Sequence, residues 1–248
     1  MSNLDYSKVE KVLVDWIKER IESAGANGAI FGLSGGIDSS VVAVLCQKAF
    51  HNNILGIIMP CYSSQVDEDD AREVADKFKL NYIIRDLGSV LDEFLLVNEG
   101  NIEKTKGNLS LANVKPRLRM TTLYYYAAKN NYLVVGTDNW SELKVGYFTK
   151  YGDGGIDIAP LGRLVKSEVR ELARHLGIPG SIVDKAPSAG LWEDQTDEKE
   201  MGVSYEVLDK YILTGEADPV ARERIEELSR KSAHKLQPIP MPEREELE

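Results

Sequence analysis

The sequence predicts an α/β protein with a Rossmann-like, doubly wound parallel sheet that helices cover on both faces. Short apolar segments at 29–33, 54–59, 82–84 and 132–136 alternate with longer segments that have helical spacing. The short segments are apolar at nearly every position, which is typical of strands buried on both faces. In such sheets ligands bind beyond the carboxyl ends of the strands, so we expect a site there.

Helices are predicted where apolar residues recur at a spacing of three or four. The opening helix has this spacing between Val9 and Ile21, and Gly25 follows it as a stop signal. Further helices are predicted at about 39–50, 66–79, 114–130 and 166–173. The stretches 98–113, 146–158 and 181–196, and the proline-rich tail from 237, lack this periodicity. We expect them to be active-site covers or mobile segments.

Composition narrows the class of protein. The chain has 248 residues, two cysteines and no apolar run of membrane-spanning length, and its first residues lack a signal-peptide pattern. We therefore expect one domain over 1–248 in the reduced cytoplasm, with no membrane partner. A net charge of -10 argues against a nucleic-acid partner, because phosphate backbones favour basic surfaces. The three histidines are scattered and predict no zinc site.

One stretch departs from this acidic average. Residues 104–137 contain no Asp or Glu but several Lys and Arg. This pattern indicates either a locally positive wall for a small phosphorylated ligand or a chance shift of composition on a solvated surface. Tyr124, Tyr125 and Tyr126 fall inside the stretch, and on a helix they point in different directions. We expect them to pack in the core or at a subunit interface.

A glycine-rich turn between the first strand and its helix predicts a site for the pyrophosphate of ATP. Adjacent glycines can turn successive N–H groups towards an anion, and the following helix adds its positive end. The turn lacks the Gly-Lys-Ser/Thr of a Walker A loop and the third glycine of a dinucleotide fingerprint. A helix cap with incidental glycines is the alternative. The predicted ATP-binding residues here are Gly32, Leu33, Ser34, Gly35, Gly36, Ile37, Asp38 and Ser39.

Two acidic residues after strand ends predict a magnesium site. Asp38 inside a phosphate-binding turn would repel its ligand unless a divalent cation bridged the two. Glu142 lies one turn into the helix that follows the strand at 132–136, so its carboxylate can face the same crevice. Mg²⁺ prefers such carboxylate oxygens together with phosphate oxygens. A solvated glutamate on a helix surface remains the alternative for Glu142.

The turn resembles the SGGxDS loop of the N-type ATP pyrophosphatases, and downstream segments are similar to those of the NAD synthetase family. These segments are GTDNWSE at 136–142, FTKYGDGGID at 148–157, NVKPRLRM at 113–120, PSA at 187–189 and HK at 234–235. The second of them is the specific signal, and the resemblance covers about 28–235. The resemblance implies that the predicted Rossmann-like sheet is of the adenine nucleotide alpha hydrolase-like type.

The resemblance assigns roles residue by residue. It implies further ATP contacts from Thr137, Lys166 and Ser188, where Ser188 stands in place of the threonine of many relatives. It implies that deamido-NAD is bound by Arg117, Lys150, Asp157, His234 and Lys235. Lys166 would also act catalytically on the departing pyrophosphate. A catalytic role of Asp153 towards ammonia is our own hypothesis within this scheme.

The implied reaction is the ammonia-dependent synthesis of NAD. ATP adenylates the carboxylate of deamido-NAD, pyrophosphate leaves, and ammonia displaces AMP. The chain length leaves no room for the glutaminase domain of glutamine-using relatives, and the family is homodimeric. Two alternatives remain open, namely another adenylating pyrophosphatase of the GMP-synthetase or tRNA-modifying type, and a nucleotide-binding module without catalysis.

Overall fold

A parallel sheet of four strands carries the fold in the computed structural model, which describes residues 4–102, 108–187 and 196–247. The strands are β1 (Gly28–Gly32), β2 (Ile54–Ile58), β3 (Tyr82–Ile84) and β4 (Tyr132–Val134). Their spatial order is β3-β2-β1-β4, and every pair is parallel. The predicted fold class is confirmed, and the order in which successive strands are added to the sheet reverses between β1 and β4, where such sheets bind ligands.

Helices follow or precede these strands along the whole chain. Their bounds, in chain order, are α1 Tyr6–Ser23, α2 Ile37–Phe50, α3 Gln65–Lys77, α4 Gly88–Glu99, α5 Leu109–Ala112, α6 Val114–Asn130, α7 Trp140–Val145, α8 Lys166–Leu176, α9 Gly180–Val183, α10 Asp197–Met201, α11 Tyr205–Thr214 and α12 Pro219–Ser232. Short 3-10 helices follow at Ala233–Lys235 and Arg244–Leu247. Within the described ranges, no helix combines the length and apolarity needed to cross a membrane.

Helices cover both faces of the sheet. On one face α1, α2, α3 and α8 enclose the largest core, in which Phe31, Val41, Leu45 and Leu172 are fully buried. Helix α2 is apolar on most sides because it lies between the sheet, α1 and α8. On the other face α4 and α6 pack over Ile30, Ile57 and Val134.

Helix α4 lies outside the helical segments predicted from the sequence. It begins at Gly88 without a side-chain cap, so the usual start signal is missing. The predicted loop at 98–113 likewise contains the short helix α5. The other predicted helices and strands are present, with ends that differ by a few residues.

A separate small core joins the last helices to α7. Val145 of α7 packs with buried residues of the C-terminal segment, which include Met201, Tyr205, Leu208 and Ile225. The segment from α10 to α12 therefore packs against the short helix that carries Glu142. This packing places α11 beside the carboxyl end of the sheet.

Candidate active site

A cleft of about 1100 Å³ opens at the carboxyl ends of β1 and β4. The turn after β1 lines it with Ser34, Gly36 and Asp38, and the segment after β4 lines it with Thr137 and Glu142. The expectation that both glycine-containing strand ends face one crevice is therefore confirmed. The topology of the sheet brings together residues that lie about a hundred positions apart.

The glycine turn presents backbone donors at the start of α2. Gly36 caps this helix and has no side chain that could accept from the first turn, so the cap residue leaves the N–H groups of that turn available. The hydroxyls of Ser39 and Ser40 donate to the carbonyl oxygen of Gly36 at 3.0 and 2.8 Å, which fixes the turn. Free N–H groups at a helix start form an anion site.

Gly35 is required by the shape of this turn. Its φ is +79°, a conformation that side chains disfavour, and an added Cβ would lie 2.2 Å from the backbone oxygen of Asp67. We expect Gly35→Ala to destabilise the protein by about 1–3 kcal/mol, measured by chemical unfolding. The variant should also lose ATP binding, measured by calorimetric titration. Gly180→Ala is the control, because its Cβ would meet no atom within 4 Å. Unchanged ATP binding by Gly35→Ala would contradict the assignment.

A trio of charged side chains, Asp38–Lys166–Glu142, forms the wall of the cleft beside the turn. Lys166 Nζ lies 2.6 Å from Asp38 Oδ2 and 3.0 Å from Glu142 Oε1. The lysine side chain is 3% exposed, and the two carboxylates are 15% and 12% exposed. Asn139 holds both acids, since its Nδ2 donates to Asp38 Oδ1 and it forms a capping box with Glu142.

The trio carries one net negative charge when all its members are ionised. Burial raises the pKa of Glu142 to about 7; Lys166 opposes this increase and Asp38 reinforces it. Burial alone would lower the pKa of Lys166, but the two carboxylates outweigh it and raise that pKa, so the lysine stays charged. Two carboxylate oxygens that converge on one cation are a suitable donor set for Mg²⁺ with phosphate oxygens.

Two further acids, Asp138 and Asp153, line the same cleft. Asp138 is 5% exposed, and its Oδ2 has no hydrogen-bond partner in the described part of the chain. Burial, followed by the nearby Asp153, raises its pKa well above the usual range. Asp153 accepts the N–H of Thr149 at 2.8 Å and lines the cleft. Desolvation by the surrounding protein raises the pKa of this carboxyl as well. Both residues are suited to exchange a proton with a ligand.

The residues predicted to bind the dinucleotide form a second group. Arg117 donates to the carbonyl oxygen of Lys150 at 3.3 Å, and Lys150 Nζ donates to that of His234 at 2.6 Å. Lys235 Nζ donates to two backbone carbonyls of the 146–148 segment and lines the cleft. Arg117, Lys150 and His234 do not line it.

Asp157 and Ser188 differ from the other predicted binding residues. Asp157 is held by the hydroxyl of Tyr124 at 3.0 Å and by the N–H of Val134 at 2.8 Å, so both of its oxygens are engaged. Ser188 lies outside the described residues. The remaining residues of the predicted ATP site line the cleft, apart from Gly35, whose contribution is the shape of the turn.

Comparison with known proteins decides the family. The family model described as NAD synthase matches residues 9–239. The chain belongs to this family. The NH(3)-dependent NAD(+) synthetase of Carboxydothermus hydrogenoformans is 51% identical over 94% of this chain and 97% of its own length.

Solved structures of the NAD synthase family share the fold. The NMN synthetase of Francisella tularensis matches with a TM-score of 0.91 and 37% identity, over 97% of this chain and 99% of its own. The NH3-dependent NAD synthetase of Campylobacter jejuni matches with a TM-score of 0.79 and 33% identity, over 97% and 100% of the two chains. The resemblance read from the sequence motifs is confirmed.

Three residues of this NAD synthase site are not singled out by the sequence. Tyr205 of α11 has its hydroxyl 2.9 Å from Asp197 Oδ2 and its ring centre 5.0 Å from Lys166 Nζ. Arg119 lines the cleft and donates to the carbonyl oxygen of Met59 and to a serine hydroxyl. Tyr205 and Asp197 have no motif around them, whereas Arg119 lies in the acid-free stretch and in a family segment.

Proposed function

We propose that this chain is an ammonia-dependent NAD synthetase that adenylates the nicotinate carboxylate of deamido-NAD. The observation that carries the proposal is the placement of the Asp38–Lys166–Glu142 trio beside the glycine turn in one cleft. Membership of the NAD synthase family, and relatives named for this reaction, support the choice of substrate and of ammonia.

The chain contributes alignment and charge rather than a covalent nucleophile. The N–H groups at the start of α2 would hold the phosphates of ATP, and Lys166 would offset negative charge on the departing pyrophosphate. A carboxylate oxygen of deamido-NAD attacks the α-phosphorus, and the bond to pyrophosphate breaks. Ammonia then attacks the acyl carbon, AMP leaves with its bonding electrons, and one proton is released. Holding the reactants in one cleft lowers the entropic barrier.

Asp38 and Glu142 would hold Mg²⁺, since their oxygens already converge on the cationic Nζ of Lys166. When bound, Mg²⁺ neutralises charge on the phosphate oxygens. In this scheme Asp153 takes up a proton from the incoming nitrogen nucleophile, a role that its raised pKa favours. Thr137 and Ser188 contact ATP.

The dinucleotide would be bound by residues inside the cleft and beside it. Lys235 would bind deamido-NAD within the cleft, and Arg117, Lys150 and His234 would bind it from beside the cleft. Asp157, which is held in place by its bonds to β4 and α6, would also bind deamido-NAD. A single domain over 1–248 and a cytoplasmic location complete the proposal.

We also propose that two copies form a homodimer through α4 and α6. Val90, Phe94 and Val97 recur at helical spacing on α4 and are 46%, 42% and 73% exposed, and Tyr125 of α6 is 62% exposed. A contiguous apolar face of this kind is typical of an interface. It lies on the sheet face that α6 covers, and this helix carries Arg117 and falls within the acid-free stretch. A second copy could therefore complete the dinucleotide site.

A charge placed in this face should separate the subunits. We expect Val97→Glu to shift the protein from dimer to monomer in analytical ultracentrifugation, because a glutamate at an apolar interface would be desolvated without a partner. Val220→Glu is the matched control, since Val220 is 77% exposed on α12, away from α4. A Val97→Glu protein that sediments like the wild type would contradict the proposed interface.

A second candidate substrate is nicotinate mononucleotide, which carries the same reacting carboxylate without the AMP half. The observation that favours it is the TM-score of 0.91 with the Francisella NMN synthetase, against 0.79 with the Campylobacter NAD synthetase. The relative with 51% identity favours deamido-NAD. We keep deamido-NAD as the main proposal because it agrees with the dinucleotide-binding segments.

One assay distinguishes the candidates. Purified protein is incubated with ATP, Mg²⁺ and ammonium, together with deamido-NAD or with nicotinate mononucleotide, and kcat/KM is measured for each. We expect NAD and AMP in equal amounts and a higher kcat/KM for the dinucleotide. A higher value for the mononucleotide would establish the second candidate, and formation of no AMP with either would contradict both. Glutamine in place of ammonium should support little amidation.

A further inference from the structure

Asp209 of α11 is a buried carboxylate that lies beside the trio without lining the cleft. It is 4% exposed, and both of its oxygens accept hydrogen bonds. Ser141 Oγ donates to Oδ1 over 2.6 Å, and the backbone N–H of Ser167 donates to Oδ2 over 2.7 Å. Such bonds to an ionised acceptor are short and strong. Asp209 therefore holds two chain segments at fixed positions.

These two segments carry the catalytic charges. Ser141 immediately precedes Glu142 in α7, and Ser167 immediately follows Lys166 in α8. Ser141 Oγ also accepts the backbone N–H of Lys166 over 3.1 Å. The bridge from Asp209 through Ser141 thus joins the first turns of α7 and α8 at the residues next to Glu142 and Lys166.

The same face of α11 reaches the charged end of Lys166. Tyr205 lies one turn before Asp209, and its ring centre is 5.0 Å from Lys166 Nζ. A cation over an aromatic ring is attracted to it, most strongly where water is excluded. Helix α11 therefore supports Lys166 at the backbone through the Asp209 bridge and at the ammonium through Tyr205.

We infer that Asp209 is a positioning residue, which acts through Ser141 to set the separation of Lys166 and Glu142 across the trio. It is buried and does not line the cleft, so it acts on the reaction through other residues. The inference rests on the proposed function, in which both Lys166 and Glu142 act on the phosphates. A catalytic group displaced by a fraction of an ångström loses much of its effect.

The kinetic test uses Asp209→Asn, which keeps the size of the side chain but replaces one acceptor by a donor that faces existing donors. We expect kcat to fall about 10- to 100-fold. The KM for deamido-NAD should stay unchanged, because Arg117 and Lys150, which would bind the dinucleotide, are not part of the trio or of the Asp209 bridge. Ser141→Ala should give a similar loss, and the double variant should be no slower than either single variant, since both remove one bridge. Asp218→Ala is the control. It removes the N-cap of α12, so it should lower the melting temperature without changing kcat.

A crystal structure of Asp209→Asn gives a readout that needs no turnover. We expect the distance between Lys166 Nζ and Glu142 Oε1 to increase by about 0.5 Å or more, the tolerance of a catalytic arrangement. An unchanged distance would overturn the inference, as would an unchanged kcat or fully additive losses in the double variant. If the wild type itself made no NAD, the proposed function would fail, whereas this distance would still decide the role of Asp209.

Discussion

The Asp38→Asn variant should lose at least about 10²- to 10³-fold in kcat, the cost of removing one preorganised charge-stabilising group from an active site. Asp38 is one of two carboxylates that face the phosphates in our scheme, and an amide is a poorer ligand for Mg²⁺. The measurement is the steady-state rate of AMP formation with saturating ATP, Mg²⁺, deamido-NAD and ammonium.

The same variant should keep nearly the melting temperature of the wild type. Lys166 retains Glu142 at 3.0 Å, so its buried charge remains paired, and the trio changes from one net negative charge to neutrality. Asp15→Asn on the exposed surface of α1 is the control for the substitution itself. Full turnover by Asp38→Asn would refute the metal assignment. A large fall in melting temperature would show that Asp38 acts through the fold.

Lys166→Met should lose both turnover and stability, the latter in a manner that depends on pH. Without the ammonium, the pKa of Glu142 should rise further above its present value of about 7, because Lys166 is the main influence that lowers it. A carboxyl whose pKa is higher in the folded state binds more protons there. Its contribution to stability is complete below about pH 4.5, the unfolded value, and is lost as the pH rises through the folded value.

We therefore expect the free energy of unfolding of Lys166→Met to approach that of the wild type as the pH falls towards about 4.5 and to fall further below it, by about 1–3 kcal/mol, near pH 8. Urea unfolding at several pH values measures this, and kcat should be at least about 10²-fold lower at every pH. Lys129→Met, on an exposed position of α6, is the control. Parallel pH curves for Lys166→Met and the wild type would contradict the electrostatic description of the trio.

The order and type of most elements could be predicted because local patterns encode them. The apolar runs of β1 and β2 and the spacing in α1 and α6 are visible in the sequence, and the structure confirms them. Helix α4 is absent from the prediction because it lacks a capping residue and begins with glycine, although Leu91 and Leu95, which pack in the core on this face of the sheet, recur at helical spacing. Such packing is a property of the tertiary structure.

Some residues of the candidate site could be predicted from the sequence, and others could not. Asp38 and Glu142 could be found because each follows a strand end, and the topology of a parallel sheet brings strand ends together. Tyr205 and Asp209 could not, since they reach the trio only through packing of α11 on α7 and α8. Their spacing of four is also typical of an ordinary buried helix face. The unpartnered oxygen of Asp138 likewise depends on burial that no short pattern reveals.

Adenylation of the substrate carboxylate is the central claim, and isotope transfer tests it most directly. Deamido-NAD labelled with ¹⁸O in the nicotinate carboxylate is converted with ATP and ammonium, and the products are analysed by mass spectrometry. Attack of the carboxylate on the α-phosphorus predicts one ¹⁸O atom in AMP and none in pyrophosphate. Label in inorganic phosphate with ADP as the product, or AMP without label, would contradict it.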